Sequence, residues 1–167
     1  MGVNQRAQIV MSDDEIDAFI RGSRTTTCIS VGPTGHPHAV AMWYGIVDGA
    51  ICFETKAKSQ KVANLRRDPR ITCLMEAGDV YEDLRGVSLE GTGEVIDDPD
   101  FLWKVGVSVF ERYMGPYTDE AKPAVEFMLN KRVAVRVHVD RIRSWDHRKL
   151  GMGATGGPGG STWPITV

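Results

Sequence analysis

Ile16, Phe19 and Ile20 fall three and four residues apart, on one face of a helix, just behind Ser12 and Glu15. Ser and Glu three apart form a capping box, so this pattern predicts a helix over 12–21. After Gly22 the period changes. The β-branched run 25–31, the turn Gly32-Pro33-Thr34-Gly35, the extended run 37–47 and the hairpin signal Asp48-Gly49 before 50–55 read as a meander of three strands. Val62 and Leu65 suit a helix over 59–67, which Asp68-Pro69 ends. A strand follows at 70–76.

The stretch 82–96 alternates in part and holds Gly86, Gly91 and Gly93, glycines that in a long strand mark a bulge or a barrel bend. Helical patterns occupy 99–114 and 118–130. Valines at 133, 135, 137 and 139 alternate strictly, and 141–145 extends that strand. The resulting class is α+β: an antiparallel sheet of six to seven strands, closed into a barrel to remove its edges, with three or four short helices. Residues 1–150 form one domain. The Gly-rich tail 151–167, which opens with GMGATGGPGG, reads as flexible.

Composition narrows the function classes. The chain has 167 residues, 42% hydrophobic and 25% charged, with a formal charge of −2. A wrap around nucleic acid calls for a basic excess, so any anion must meet a local positive patch. No apolar run reaches the roughly 20 residues of a membrane span. The N-terminus MGVNQRAQIV lacks the apolar core of a signal peptide, and Arg6 stands where myristoylation wants Ser or Thr. Cys28, Cys52 and Cys73 are odd in number, far apart and each inside an apolar run. They read as small buried hydrophobes of a cytoplasmic protein rather than a disulfide or zinc set.

Side-chain catalysis finds little support. GxSxG is absent, no phosphate loop of the P-loop or Rossmann kind occurs, and the four histidines (His36, His38, His138, His147) are scattered. His36 and His38 read as surface residues. His138, opposite the valines, reads as a solvent or subunit contact. No catalytic side chain and no metal site is assigned.

Thr55 to Lys61 stands apart. Lys56, Lys58 and Lys61 join Thr55 and Ser59 in seven residues where a strand ends and a helix begins. Two readings compete: a solvated face with Ser59 as N-cap, or a phosphate cradle. Lysines oppose the dipole at a helix N-terminus, which an anion would offset.

The motif T-x-x-x-S-x-K at 55–61, with N-L-R-x-D-P-R behind it, resembles the split β-barrel flavin and deazaflavin oxidoreductases of the pyridoxamine 5′-phosphate oxidase type. LRGVSLEGTGEV (84–95) and SWDHRKLGM (144–152) are similar to the actinobacterial branch that uses coenzyme F420, an 8-hydroxy-5-deazaflavin. The resemblance covers about residues 12–150. It implies that Thr55, Ser59, Gln60 and Lys61 hold the cofactor phosphate and that Lys56 and Lys58 add charge for it or for the glutamate tail. It also implies that Met42 and Trp43 wall the ring.

The resemblance further implies a homodimer with the cofactor between two barrels, where a partner residue around Arg85 or Trp145 completes the site. Two departures favour deazaflavin over FMN. HAVAMWYG (38–45) carries no arginine or lysine for a phosphate, and Gly86 stands where the FMN oxidases place a glutamine beside the ring. The expected activity is hydride transfer from reduced F420 to an apolar conjugated acceptor (quinone, enone or tetrapyrrole), the proton coming from solvent, Tyr44 or a histidine. An FMN-dependent oxidase or reductase of the same fold, and a non-catalytic F420-binding or storage protein, are the alternatives.

Overall fold

Two residues, Trp43 and Tyr44, decide how the sheet is shaped. The computed structural model of the chain describes residues 5–151. In these, a seven-stranded antiparallel sheet runs in the order β2-β1-β5-β6-β7-β4-β3. The strands are β1 (Thr26–Val31), β2 (Pro37–Met42), β3 (Gly45–Val47), β4 (Ala50–Lys56), β5 (Arg70–Ala77), β6 (Arg85–Ile96) and β7 (Arg132–Asp146). β2 and β3 are the two edges of the sheet, yet only Trp43 and Tyr44 separate them in sequence. Three Cα steps span at most about 11 Å. The sheet must therefore curl until its edges meet at this corner.

The sequence pattern predicts one strand over 37–47, and the structure breaks it here. Its first half pairs with β1 (Thr26 opposite Met42) and its second half with β4 (Gly45 opposite Cys52). A strand that changes partners turns a barrel corner.

The helices are α1 (Gln5–Gln8), α2 (Asp13–Gly22), α3 (Gln60–Arg67), α4 (Pro99–Tyr113) and α5 (Lys122–Leu129). Four of them reach eight residues or more, and α1 is a single turn. The capping box is present: Ser12 N–H donates to Glu15 Oε2 at 2.7 Å and Glu15 N–H to Ser12 Oγ at 3.3 Å. Ile16, Phe19 and Ile20 pack onto the barrel core, as their spacing requires. Only residue 151 of the Gly-rich tail lies among the described residues.

Two apolar clusters explain why AICFETK reads as a continuous apolar run. Ile51 and Phe53 point into the barrel with Cys28, Cys73, Met75, Val87, Leu89, Val135 and Val137. Cys52 points the other way, to Val47, Ala134 and the Val105–Val109 face of α4. Both faces of β4 are covered, so alternation disappears. All three cysteines are free and buried, and the Sγ atoms of Cys28 and Cys73 lie 3.9 Å apart across the β1–β5 ladder.

Tyr44 locks the corner. Fully buried, it donates to the carbonyl oxygen of Ile20 at 2.5 Å, with that of Ser23 at 3.1 Å. Burial pushes its phenol up to about 12. The folded state therefore favours the neutral phenol, so this stabilisation is complete below the ordinary value of 10.0 and is lost as pH rises towards about 12. A spectrophotometric titration is expected to show one phenol ionising about two units late, together with unfolding, and Tyr44→Phe to abolish that late step.

The long strands meet at a bulge. Glu90 lies opposite Arg141 but Gly91 lies opposite Val139, leaving Asp140 as the extra residue on β7. The glycine-rich stretch thus marks the bend expected of it.

Candidate functional site

The barrel is open where β4 outruns its neighbour. The β3–β4 ladder ends at Gly45 opposite Cys52, while Phe53 to Lys56 pair with β7 alone. Into this split β4 delivers Thr55, directed inward like Phe53, and the chain turns at once into α3. Ser59 is the N-cap of α3 (φ −74, ψ 154), but its side chain makes no cap hydrogen bond. Its Oγ instead lies 3.4 Å from Thr55 Oγ1. Among the described residues the backbone N–H groups of Gln60 and Lys61 meet no acceptor, as the first turn of a helix dictates.

Lys61 leans back over this opening and donates to Thr55 Oγ1 at 2.9 Å. Burial is the main cause that lowers its ammonium pKa, and the neighbouring Arg132 adds to the effect. Glu54, buried on the opposite face of β4, has its carboxyl pushed up by burial, which Arg132 (3.4 Å) partly offsets. Gln60 Nε2 donates to Asn64 Oδ1 at 2.8 Å, and the buried Asn64 Nδ2 donates to Ser30 Oγ at 3.0 Å. This relay fixes α3 to β1.

Four of the predicted residues therefore converge: Thr55, Ser59, Gln60 and Lys61. Lys58 is exposed in the turn just before Ser59. Lys56 does not join. A strand turns successive side chains to opposite faces, so Lys56 points away from Thr55 and donates to the carbonyl oxygen of Asn130 at 2.9 Å. Met42 packs against the barrel core, and Trp43 stands at the corner, 45% exposed.

Arg85 is remote. It begins β6 and lines, with Arg24 and Glu76, a pocket of about 480 Å³, whereas α3 packs near Gly93 at the other end of that strand. Gly86 lies opposite Trp145, and a Cβ there would come 2.4 Å from the indole. Trp145 thus fills the space a longer side chain would need.

Tyr44, a candidate proton donor, is sealed in the corner. Of the histidines, His138 is exposed and pairs with Glu94 at 2.8 Å, and His147 bonds the carbonyl of Tyr81 at 2.9 Å. His38, expected at the surface, is half-buried with its Nδ1 enclosed and unpaired. Among the described residues no group of three His, Cys, Asp or Glu side chains could hold a metal, and no helix is long and apolar enough to cross a membrane.

Sequence reasoning missed three residues. Asn64 enters the sequence reading only within N-L-R-x-D-P-R, Glu54 only within the strand 50–55, and Tyr113 only within the helical pattern 99–114. Each acts through a partner more than 30 residues away, so no local pattern marks it.

A hydroxyl pair, an ammonium and unpaired helix N–H groups at the β4–α3 turn make up a set of donors suited to an anion. The family model for pyridoxamine 5′-phosphate oxidase matches residues 12–146, which include all of it. The chain belongs to this family. Among solved structures, a conserved hypothetical protein from Mycobacterium tuberculosis is 58% identical over 96% of this chain and all of its own, with a TM-score of 0.89. Members of the same fold are more distant in sequence. An F420 reductase is 23% identical (TM-score 0.59; 80% of this chain, 98% of that one). The haem storage protein HutZ from Vibrio cholerae is 14% identical (TM-score 0.64; 80% and 94%). No curated protein matches.

Proposed function

We propose that this member of the pyridoxamine 5′-phosphate oxidase family binds coenzyme F420 through its phosphate at the β4–α3 mouth and passes hydride from the reduced form to a flat, apolar, conjugated acceptor. The observation that carries the reading is the Thr55–Ser59–Lys61 constellation with the free N–H groups of Gln60 and Lys61. Backbone donors, hydroxyls and a lysine suit a phosphate's several oxygens. The residues present fit such a group.

Two features support the deazaflavin over FMN. β2 contains no arginine or lysine, and Trp145 occupies the room at Gly86. The F420 reductase among the structural relatives agrees with this choice. When bound, the reduced deazaflavin supplies the hydride. This chain's part is to bind, orient and exclude water. Lys61 and Lys58 neutralise the phosphate, the Gln60–Asn64–Ser30 relay keeps α3 in place, and Met42 and Trp43 wall the ring. Tyr44 is too enclosed to donate, which leaves solvent or a histidine as the source of the proton. Arg85 lies too far from the cradle to serve it within one chain, which suits a homodimer in which the partner copy supplies it. A cytoplasmic setting fits this role.

A second reading, an F420-binding or storage protein without turnover, is favoured by the lack of any acid–base pair at the cradle among the described residues. The test is a titration of purified protein with FMN and with F420 separately, followed by tryptophan quenching. Micromolar affinity for F420 and none for FMN is expected, and FMN binding alone would overturn the proposal. Turnover of reduced F420 with menadione then separates enzyme from store: no recovery of the oxidised deazaflavin's visible absorbance over hours supports storage.

A further inference from the structure

Trp43 keeps 45% of its surface open at a corner that is otherwise tightly built. An exposed indole normally swings between rotamers. This one is braced by the ring of Tyr113, the last residue of α4, which lies parallel to it (centroids 4.3 Å, interplanar angle 4°). Tyr113 is fixed in turn at its hydroxyl, which accepts from the N–H of Tyr44 (3.2 Å) and donates to the carbonyl of Arg24 (2.7 Å).

The guanidinium groups of Arg24 and Arg112 stand 5.2 and 5.9 Å from the Tyr113 centroid. Both bond to backbone carbonyls, and neither forms an ion pair among the described residues. The stack therefore has positive charge behind it and an indole surface in front whose ordering cost is already met in folding.

We infer that Tyr113 is a positioning residue: it holds Trp43 as a fixed stacking face for a flat, conjugated ring with electron-rich oxygens at its edge. The inference rests on the proposed function for what such a ring does, since the ring belongs either to the cofactor or to the acceptor. Planar ligands gain from the stack, whereas a small puckered enone gains little.

The test uses Tyr113→Leu and Tyr113→Phe with three probes: F420, menadione and cyclohex-2-enone. Near-ultraviolet circular dichroism of Tyr113→Leu is expected to lose the signal of the stacked pair while the far-ultraviolet spectrum stays. Affinity for the planar ring should fall about three- to tenfold, the worth of an aromatic pair, and Tyr113→Phe, which keeps the ring, should recover most of it. Loss confined to menadione assigns the face to the acceptor, and loss confined to F420 assigns it to the cofactor. Cyclohex-2-enone is unaffected in either case, and an equal loss for it would mean general distortion and overturn the inference.

Unchanged affinity for both planar probes in folded Tyr113→Leu overturns it too. Should that variant fail to fold, Trp43→Leu, at an exposed position, must show the same loss or the idea falls. Failure of the wild type to bind F420 would sink the functional reading alone, because quenching by menadione still reads the stacking face.

Discussion

Replacing Lys58 and Lys61 together by alanine is expected to weaken cofactor binding by well over tenfold while leaving the fold intact. Each charge-assisted hydrogen bond contributes roughly 1.5–3 kcal/mol. Lys61 already lies 2.9 Å from Thr55 Oγ1 at the mouth of the split, so its ammonium needs no reorganisation to meet a phosphate. Stability should change by less than about 0.5 kcal/mol, because Lys58 is exposed and the charge of Lys61 is itself disfavoured by partial burial. Equilibrium titration gives the affinity and urea denaturation the stability. An affinity equal to wild type would return these lysines to the role of a solvated helix entrance. Lys56→Ala is the control: tied to Asn130, it should leave the affinity nearly unchanged.

The largest effect on stability is expected from Gly91→Ala. A Cβ on Gly91 would lie 1.9 Å from the carbonyl oxygen of His138, a backbone atom in the adjoining strand. The β4–β7 ladder ends at Arg136, so at His138 the clash falls within the β6–β7 ladder itself and is relieved only by breaking its register or pairing. Overpacking ordinarily costs about 1–3 kcal/mol, and a backbone clash at a bulge falls at or above the top of that range. The urea midpoint should drop accordingly at nearly constant m-value. Gly93→Ala supplies the contrast. Its Cβ would meet side-chain methyl groups, those of Leu65 at 3.1 and 3.2 Å and Val135 Cγ1 at 3.4 Å, which can move. A Gly91→Ala protein within about 1 kcal/mol of wild type would mean that the bulge is not as closely packed as these distances require.

Much of the fold is legible in the sequence because its signals are local. The capping box at Ser12, the hairpin at Asp48-Gly49, the alternating valines of β7 and the glycines of β6 each state their own geometry within a few residues. The break at Trp43-Tyr44 is not legible that way. Extended residues continue through it, and only the change of partner from β1 to β4 ends one strand and starts another. The cradle follows the same division. Thr55, Ser59 and Lys61 are close in sequence, so a motif can present them together. Lys56 departs from the expectation because β4 runs one residue past Thr55, and strand alternation then turns Lys56 to the other face. Asn64, Glu54 and Tyr113 depend on Ser30, Arg132 and Trp43, contacts that exist only once the barrel is closed.

The order of the strands also dictates a schedule for synthesis. β7, the last strand among the described residues, sits between β6 and β4. Until it leaves the ribosome the nascent chain holds two unjoined pieces, a β2-β1-β5-β6 sheet and a β3–β4 hairpin. Each offers an unpaired edge to neighbouring chains. Closure therefore waits for residues beyond 132, and stalled or truncated chains ending before them should be the species that chaperones hold and that aggregates collect.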